Sequence, residues 1–197
     1  MDSPSQNVSV ERLSVMHGLL IGVVSVVLTI VFRLIDPMLQ YTNWWLGFLL
    51  LAIMIALLSV LGIDVRKKTG GYWSFGNAFK SLLIMSVLLV VFSTVCNFVI
   101  FKYVDPEMPS KVNSAMLGTT TTMLEKFGAD QTKIDEGTKK FNDGEFEASL
   151  KPTLVNELKA LGIGVVIYAV ISLIIAACIK KKPPLFAPID EGTSTIS

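Results

Sequence analysis

No Asp, Glu, Lys or Arg interrupts residues 15–32, 44–63, 81–101 or 161–179. The chain is equally poor in groups that carry out chemistry, with one histidine, His17, and two cysteines, Cys96 and Cys178, among its 197 residues. A single imidazole without neighbouring Cys, Asp or Glu residues makes neither a metal site nor a catalytic dyad. His17 is therefore expected to be an ordinary interfacial side chain. No nucleophile–base pattern and no glycine-rich loop ending in Gly-Lys-Ser/Thr occurs, so a non-catalytic protein without cofactor or metal is expected. Ion- and proton-coupled carriers place ionisable groups inside their spans, and the lack of them here argues against such transport. The first apolar run is too long for a signal-peptide core and leads into Arg33-Leu34-Ile35-Asp36-Pro37 instead of a small-residue cleavage site, so it is expected to be retained. Asp2 and the end Ser194-Thr195-Ile196-Ser197 offer no lipidation signal. A net charge of +1 gives no reason to expect a nucleic-acid partner.

What the chain does have is length without charge. The four runs hold 18 to 21 residues each, against the roughly 20 that a helix needs to cross a hydrocarbon core. In lipid only helices and closed barrels satisfy their own backbone, and continuous apolar runs are not barrel strands. With 52% hydrophobic content and a mean hydropathy of +0.61, the sequence predicts an all-α polytopic membrane protein. Four transmembrane helices are expected, with a helical extracytoplasmic insert between the third and fourth. The divisions are a cytoplasmic N-terminus at 1–14, spans one to three within 15–101 and the insert at 102–160. The fourth span and its basic flank take 161–182, and a flexible tail takes 183–197.

Charge placement predicts the orientation. Arg66, Lys67, Lys68 and Lys80 follow the second span against a single acid, Asp64, and Lys180, Lys181 and Lys182 follow the fourth. The positive-inside rule puts these segments, and hence both termini, in the cytoplasm. The insert, with 8 Lys against 10 acids, is close to neutral and falls outside. Tyr41, Trp44, Trp45, Tyr72, Trp73, Phe98, Phe101 and Tyr103 mark the interfaces. In this topology Cys96 lies about 22 Å above the level of Cys178, too far for a disulfide.

Helices in lipid associate through small residues and interhelical hydrogen bonds. Gly18, Gly22, Ser25 and Thr29 form one stripe that ends at Arg33; Ala52, Ala56 and Ser59 form a second; Ser86, Ser93 and Asn97 form a third. In the fourth span Gly162, Ala169 and Ala176 recur at heptad spacing beside Ser172. The stripes are read as a packing seam and not as a substrate path. Arg33 has two readings, an anion or headgroup contact and a snorkelling side chain paired with Asp36 at i+3; the second is the expectation. The basic clusters Arg66, Lys67, Lys68, Lys80, Lys180, Lys181 and Lys182 are possible headgroup contacts too, although orientation alone explains them.

In the insert, Ser110 is expected to cap a helix to Phe127 that Gly118 and Thr119 to Thr122 weaken and Gly128 ends. A second helix is expected to begin after Asp130 and reach Phe141, before the turn at Asn142-Asp143-Gly144. Thr153 is expected to cap a helix continuous with the fourth span. The acids of 130–147 lack EF-hand spacing and read as a solvated surface. The insert is too short and poor in aromatics for a core of its own, so it should pack on the membrane surface or on a partner. Before the third span, Gly70 to Lys80 reads as an interfacial elbow, with Ser74 or Asn77 as cap.

Gly71-Tyr72-Trp73-Ser74-Phe75-Gly76-Asn77-Ala78-Phe79, Phe101-Lys102-Tyr103-Val104-Asp105-Pro106-Glu107 and Ser172-Leu173-Ile174-Ile175-Ala176-Ala177-Cys178-Ile179-Lys180-Lys181-Lys182-Pro183 occur in that order. Together they resemble domain-of-unknown-function family 4199, small inner-membrane proteins found mostly in Bacteroidota, over about residues 15 to 184. The resemblance implies no catalytic residues. It does imply an association with membrane-associated glycosyltransferases, near which such proteins are often encoded. Two functions fit. One is an accessory or scaffold subunit for another envelope membrane protein, or for a second copy of the chain. The other is a component that handles lipid or lipid-linked sugar.

Overall fold

The computed structural model describes residues 9–181. Lys182 and the predicted tail lie outside them, as do the first eight residues. α1 (Val10–Ile35) begins where the Ser9 hydroxyl accepts the Arg12 N–H at 3.2 Å. The short α2 (Leu39–Thr42) leads into α3 (Trp44–Lys68). α4 (Phe75–Val99) is capped by Ser74, which accepts the Asn77 N–H, and continues into a π-helical turn at Ile100–Val104. The insert holds α5 (Met108–Lys126), α6 (Gln131–Asn142) and α7 (Glu145–Leu150). Thr153 then caps α8 (Leu154–Ile179) by accepting the Asn156 N–H. α1, α3, α4 with its π turn, and α8 are long and apolar enough to cross a membrane. Among the described residues there is no strand, only an isolated bridge between Trp73 and Lys181. The chain is an all-α, multi-pass membrane protein.

α4 is the central helix, with its broadest contacts to α1 and α8. Ile21, Leu58, Leu82, Met85, Leu89 and Ile175 fill the core between the four spans. Small residues let backbones approach at four places. A Cβ added at Gly18 would lie 2.6 Å from Leu88 Cδ1 and 3.0 Å from the Met85 Cα, and one at Gly22 would lie 2.8 Å from the Phe92 ring. An added Cβ would lie 2.8 Å from Val90 at Gly164, and 3.0 and 3.1 Å from Ile179 and Leu82 at Gly62. Serine pairs add polar ties. Ser14 and Ser81 are bonded at 2.7 Å, Ser86 and Ser172 at 3.0 Å, and Ser25 and Ser93 more loosely at 3.5 Å.

The insert is fastened to the end of this bundle. Ile100, Phe101, Met108 and Val112 are buried together, with Tyr41, Met116, Phe146 and Leu150 packed around them. Phe141 meets Phe146 edge to face at 4.9 Å, and the Asn113 side chain donates to the Phe141 carbonyl. α5 starts at Met108, before the expected cap at Ser110. Pro109 suits a first helical turn, and burial of Met108 and Val112 fixes that start. Gly118 and the threonines do not break the helix, because its packed face supplies what propensity lacks. Gly128, at φ +73°, ends it in the left-handed conformation, and the Ala129 N–H reaches back to the Leu124 carbonyl.

The close approach predicts a graded response. Gly18→Ala and Gly22→Leu should each lose about 1–3 kcal/mol, since backbone and ring atoms leave no room for the added carbons. Val27→Leu, at an exposed position, should leave the melting temperature in mild detergent unchanged. Equal melting temperatures for all three variants would refute the seam.

Candidate functional site

Above Ser25 the small residues of α1 give way to Val26 and Ile30, and a cavity of about 820 Å³ opens between α1 and α4. Phe92, Val95 and Val99 form its opposite wall, and Ile100 and Val104 of the π turn continue that wall. From Val26 to Leu34 the groove runs about 12 Å along α1 at 1.5 Å per residue. Its lower part is apolar. Its charged lining residues, Arg33 and Asp105, stand together at the end nearest the insert.

The π turn makes this end. Its wider winding lets the Asp105 N–H donate to the Ile100 carbonyl at 2.9 Å, which sets Asp105 at the rim. It also turns Phe101 inward, where the Arg33 guanidinium lies over the ring at 5.7 Å. Arg33 does not pair with Asp36. That carboxylate instead accepts the Met38 N–H at 2.8 Å and closes the next turn. Arg33 Nε and Nη2 are buried without a hydrogen-bond partner, and Arg33 makes no ion pair among the described residues. Shielded donors without an acceptor are costly, so Arg33, half-buried at the end of the groove, calls for one.

Asp105 is differently placed. It accepts the Lys111 ammonium on both oxygens, at 3.0 and 2.9 Å, and the Glu107 N–H at 3.2 Å. The Lys111 hydrogen bond, more than any other group, holds this carboxyl below the usual range, and the charge of Arg33 adds to the effect. Asp105 therefore stays ionised at the groove mouth. Burial pushes the Tyr41 phenol above its ordinary range, against the opposing charge of Arg33.

The family model "Protein of unknown function (DUF4199)" matches residues 16–181. The chain belongs to this family. No curated protein and no solved structure matches it. For this DUF4199 protein the geometry itself must carry the functional argument. Among the described residues no three His, Cys, Asp or Glu side chains stand together as a metal site, and Cys96 and Cys178 are free.

The predicted seam residues divide. Gly18, Gly22, Ser25, Ser86 and Ser93 sit at α4 contacts, and Ser172 answers Ser86. Thr29 and Ser59 bond to carbonyls of their own helices, Ser25 and Ile55. Ala52, Ala56 and Asn97 are exposed, because α3 packs with Met54, Leu58, Gly62 and Val65. The basic residues of the other end are largely engaged within the chain. Arg66 donates to the Ile179 carbonyl at 2.6 Å, Lys80 pairs with Glu11, Lys68 with Asp64, and Lys181 lies over Tyr72. Lys67 and Lys180 are exposed.

His17 is not an isolated interfacial residue. It is buried, its Nδ1 bonds the Leu13 carbonyl at 2.8 Å, and its Nε2 lies 2.8 Å from Asp64 Oδ2 on α3. A carbonyl only accepts, so Nδ1 carries hydrogen. The Nε2–carboxyl bond then needs one further proton on the pair. Lys68 lies 2.7 Å from the same Asp64 oxygen. This cluster ties α1 to α3, which otherwise share little contact. Asp64→Ala should strand the buried imidazole and cost about 1–3 kcal/mol. His17→Leu should cost less, since Asp64 keeps Lys68. Thermal unfolding of both variants in detergent checks the order, and the reverse order would remove the tie.

Proposed function

We propose that this protein is a non-catalytic inner-membrane component that holds a membrane amphiphile with an anionic head in the α1–α4 groove. The observation that carries the reading is the half-buried Arg33 at one end of a largely apolar cavity, with Nε and Nη2 shielded and without a hydrogen-bond partner. A lipid chain needs apolar walls along the bilayer normal, and a phosphate needs a cation at headgroup depth. Arg33 meets the second need well, because a guanidinium presents a planar fork of donors to phosphate oxygens. Two residues before the end of α1, it stands where a span leaves the hydrocarbon. The basic flanks all belong to the opposite end of the bundle, which supports cytoplasmic termini. The groove would then face the outer leaflet. Arg33→Gln should lower the anionic phospholipid that co-purifies in mild detergent several-fold, with Lys67→Gln as a control. Unchanged lipid content in Arg33→Gln would sink the reading.

A second reading, an accessory or scaffold subunit for another membrane protein such as a glycosyltransferase, rests on the insert. There α5 and α2 shape an open hollow of about 460 Å³ lined by Thr42, Ser114, Gly118, Thr119 and Thr122. Small side chains leave room for a partner helix. A stoichiometric protein retained at native expression, with no bound lipid, would favour this account. Orientation has its own test. In a background without native cysteines, Asn142→Cys should react with an impermeant thiol reagent in intact spheroplasts, and Lys68→Cys only after lysis. The opposite labelling would invert the topology and place the groove at the inner leaflet.

A further inference from the structure

The charges around the groove mouth say more about its occupant than that it is anionic. Resting on the amphiphile reading above, we propose that the groove selects a head with one negative charge, a phosphodiester, and discriminates against phosphomonoesters and diphosphates. Among the described residues, Arg33 and Asp105 are the only charged ones lining the cavity, and Arg33 makes no ion pair with any of the others. Asp105 carries the opposite sign. They stand beyond ion-pair distance of each other, so the mouth keeps a cation with a carboxylate close by. A single negative charge can sit on Arg33. A second one on the same head would meet Asp105, and among the described residues no other cation lines the cavity to balance it.

The neighbouring groups do not relieve that repulsion. Lys111 on α5 is one candidate, but its ammonium is committed to both Asp105 oxygens and lies 3.5 Å from Glu107 as well. Asp36 adds a further carboxylate after α1, and it is bonded to the Met38 N–H. Tyr41 on α2 and Cys96 on α4 carry no charge near neutrality, since burial raises the phenol and a thiol is neutral there. At this end the charged side chains are Arg33, Lys102 and Lys111 against Asp36, Asp105 and Glu107; Lys102 is exposed, with its ammonium over the Phe98 and Tyr103 rings, and does not line the cavity. That set leaves no positive excess for a dianion. It is the reverse of a diphosphate site, which gathers several cations around one head.

Two lipids with identical acyl chains separate these cases, phosphatidylglycerol as the diester and phosphatidic acid as the monoester. A phosphomonoester has its second ionisation near pH 6, so phosphatidic acid is mostly dianionic at pH 8 and monoanionic at pH 5. Each lipid is titrated onto the full-length, delipidated protein in mild detergent and read by native mass spectrometry. The wild type should bind phosphatidylglycerol roughly tenfold tighter at pH 8, the order expected for one added like charge close by. The gap should close at pH 5, where Asp105, held low by Lys111, is still ionised. Asp105→Asn, which keeps an acceptor for the Glu107 N–H, should close the gap at pH 8. Phosphatidic acid binding as tightly as phosphatidylglycerol to the wild type at pH 8 would overturn the selectivity while leaving the amphiphile site intact. A gap that persists in Asp105→Asn or at pH 5 would overturn the role given to charge. Failure of both lipids to bind would overturn the amphiphile reading itself, and this inference with it.

Discussion

Everything in this bundle follows from how closely α1 can approach α4. Lipid supplies no hydrophobic drive to bring two apolar helices together, so contact must come from packing and a few polar bonds. Gly18 and Gly22 let Leu88, Met85 and Phe92 reach the α1 backbone, and Ser14–Ser81 sets the register along the same seam. α8 joins the opposite side of α4 by the same means, through Gly164 against Val90 and Ser172 against Ser86. A glycine or serine placed one position away would turn these contacts toward lipid. The seam is narrow, and so it is specific.

That narrowness also explains the groove. Close approach requires small side chains on one face, and on α1 they stop at Ser25. From Val26 onward the same face carries branched residues and then an arginine, so a space opens between two helices fixed lower down. The π turn at Ile100–Val104 completes it by re-aiming the end of α4, with Phe101 turned inward beneath Arg33 and Asp105 at the rim. The insert secures that turn through Met108 and Val112. Packing that begins as a seam thus ends as a walled cavity with charge at one end.

The sequence carried the spans, most of the caps and the outline of the insert, because those depend on local features. Charge-free length marks a membrane helix, and Ser74, Asp130 and Thr153 cap where a short polar side chain precedes a helix. Partners distant in sequence were not legible. Nothing local links His17 to Asp64, 47 positions away, and His17 alone reads as an ordinary interfacial residue. Arg33 was expected to meet Asp36 at i+3, but Asp36 follows the helix end, where its carboxylate is drawn to the Met38 N–H. Spacing revealed that α3 has a small-residue stripe at Ala52 and Ala56. It could not reveal that Met54, Leu58 and Gly62 on another face make the contacts.

The two ends of the bundle treat charge in opposite ways, and the contrast bears on function. At the His17 end, cations and anions are numerous and find one another within the chain: Lys80 with Glu11, Lys68 and His17 with Asp64, Arg66 with the end of α8. Such contacts hold helices together. At the other end Lys111 and Asp105 are matched in the same manner, yet Arg33 beside them is not. A snorkelling arginine would carry its guanidinium out to water. This one is folded back over Phe101, with Nε and Nη2 shielded. Arg66 Nε, Trp73 Nε1 and Asn113 Oδ1 are also buried without a partner, but of these four side chains only Arg33 lines the apolar groove, where an amphiphile entering from the bilayer could supply the missing acceptor.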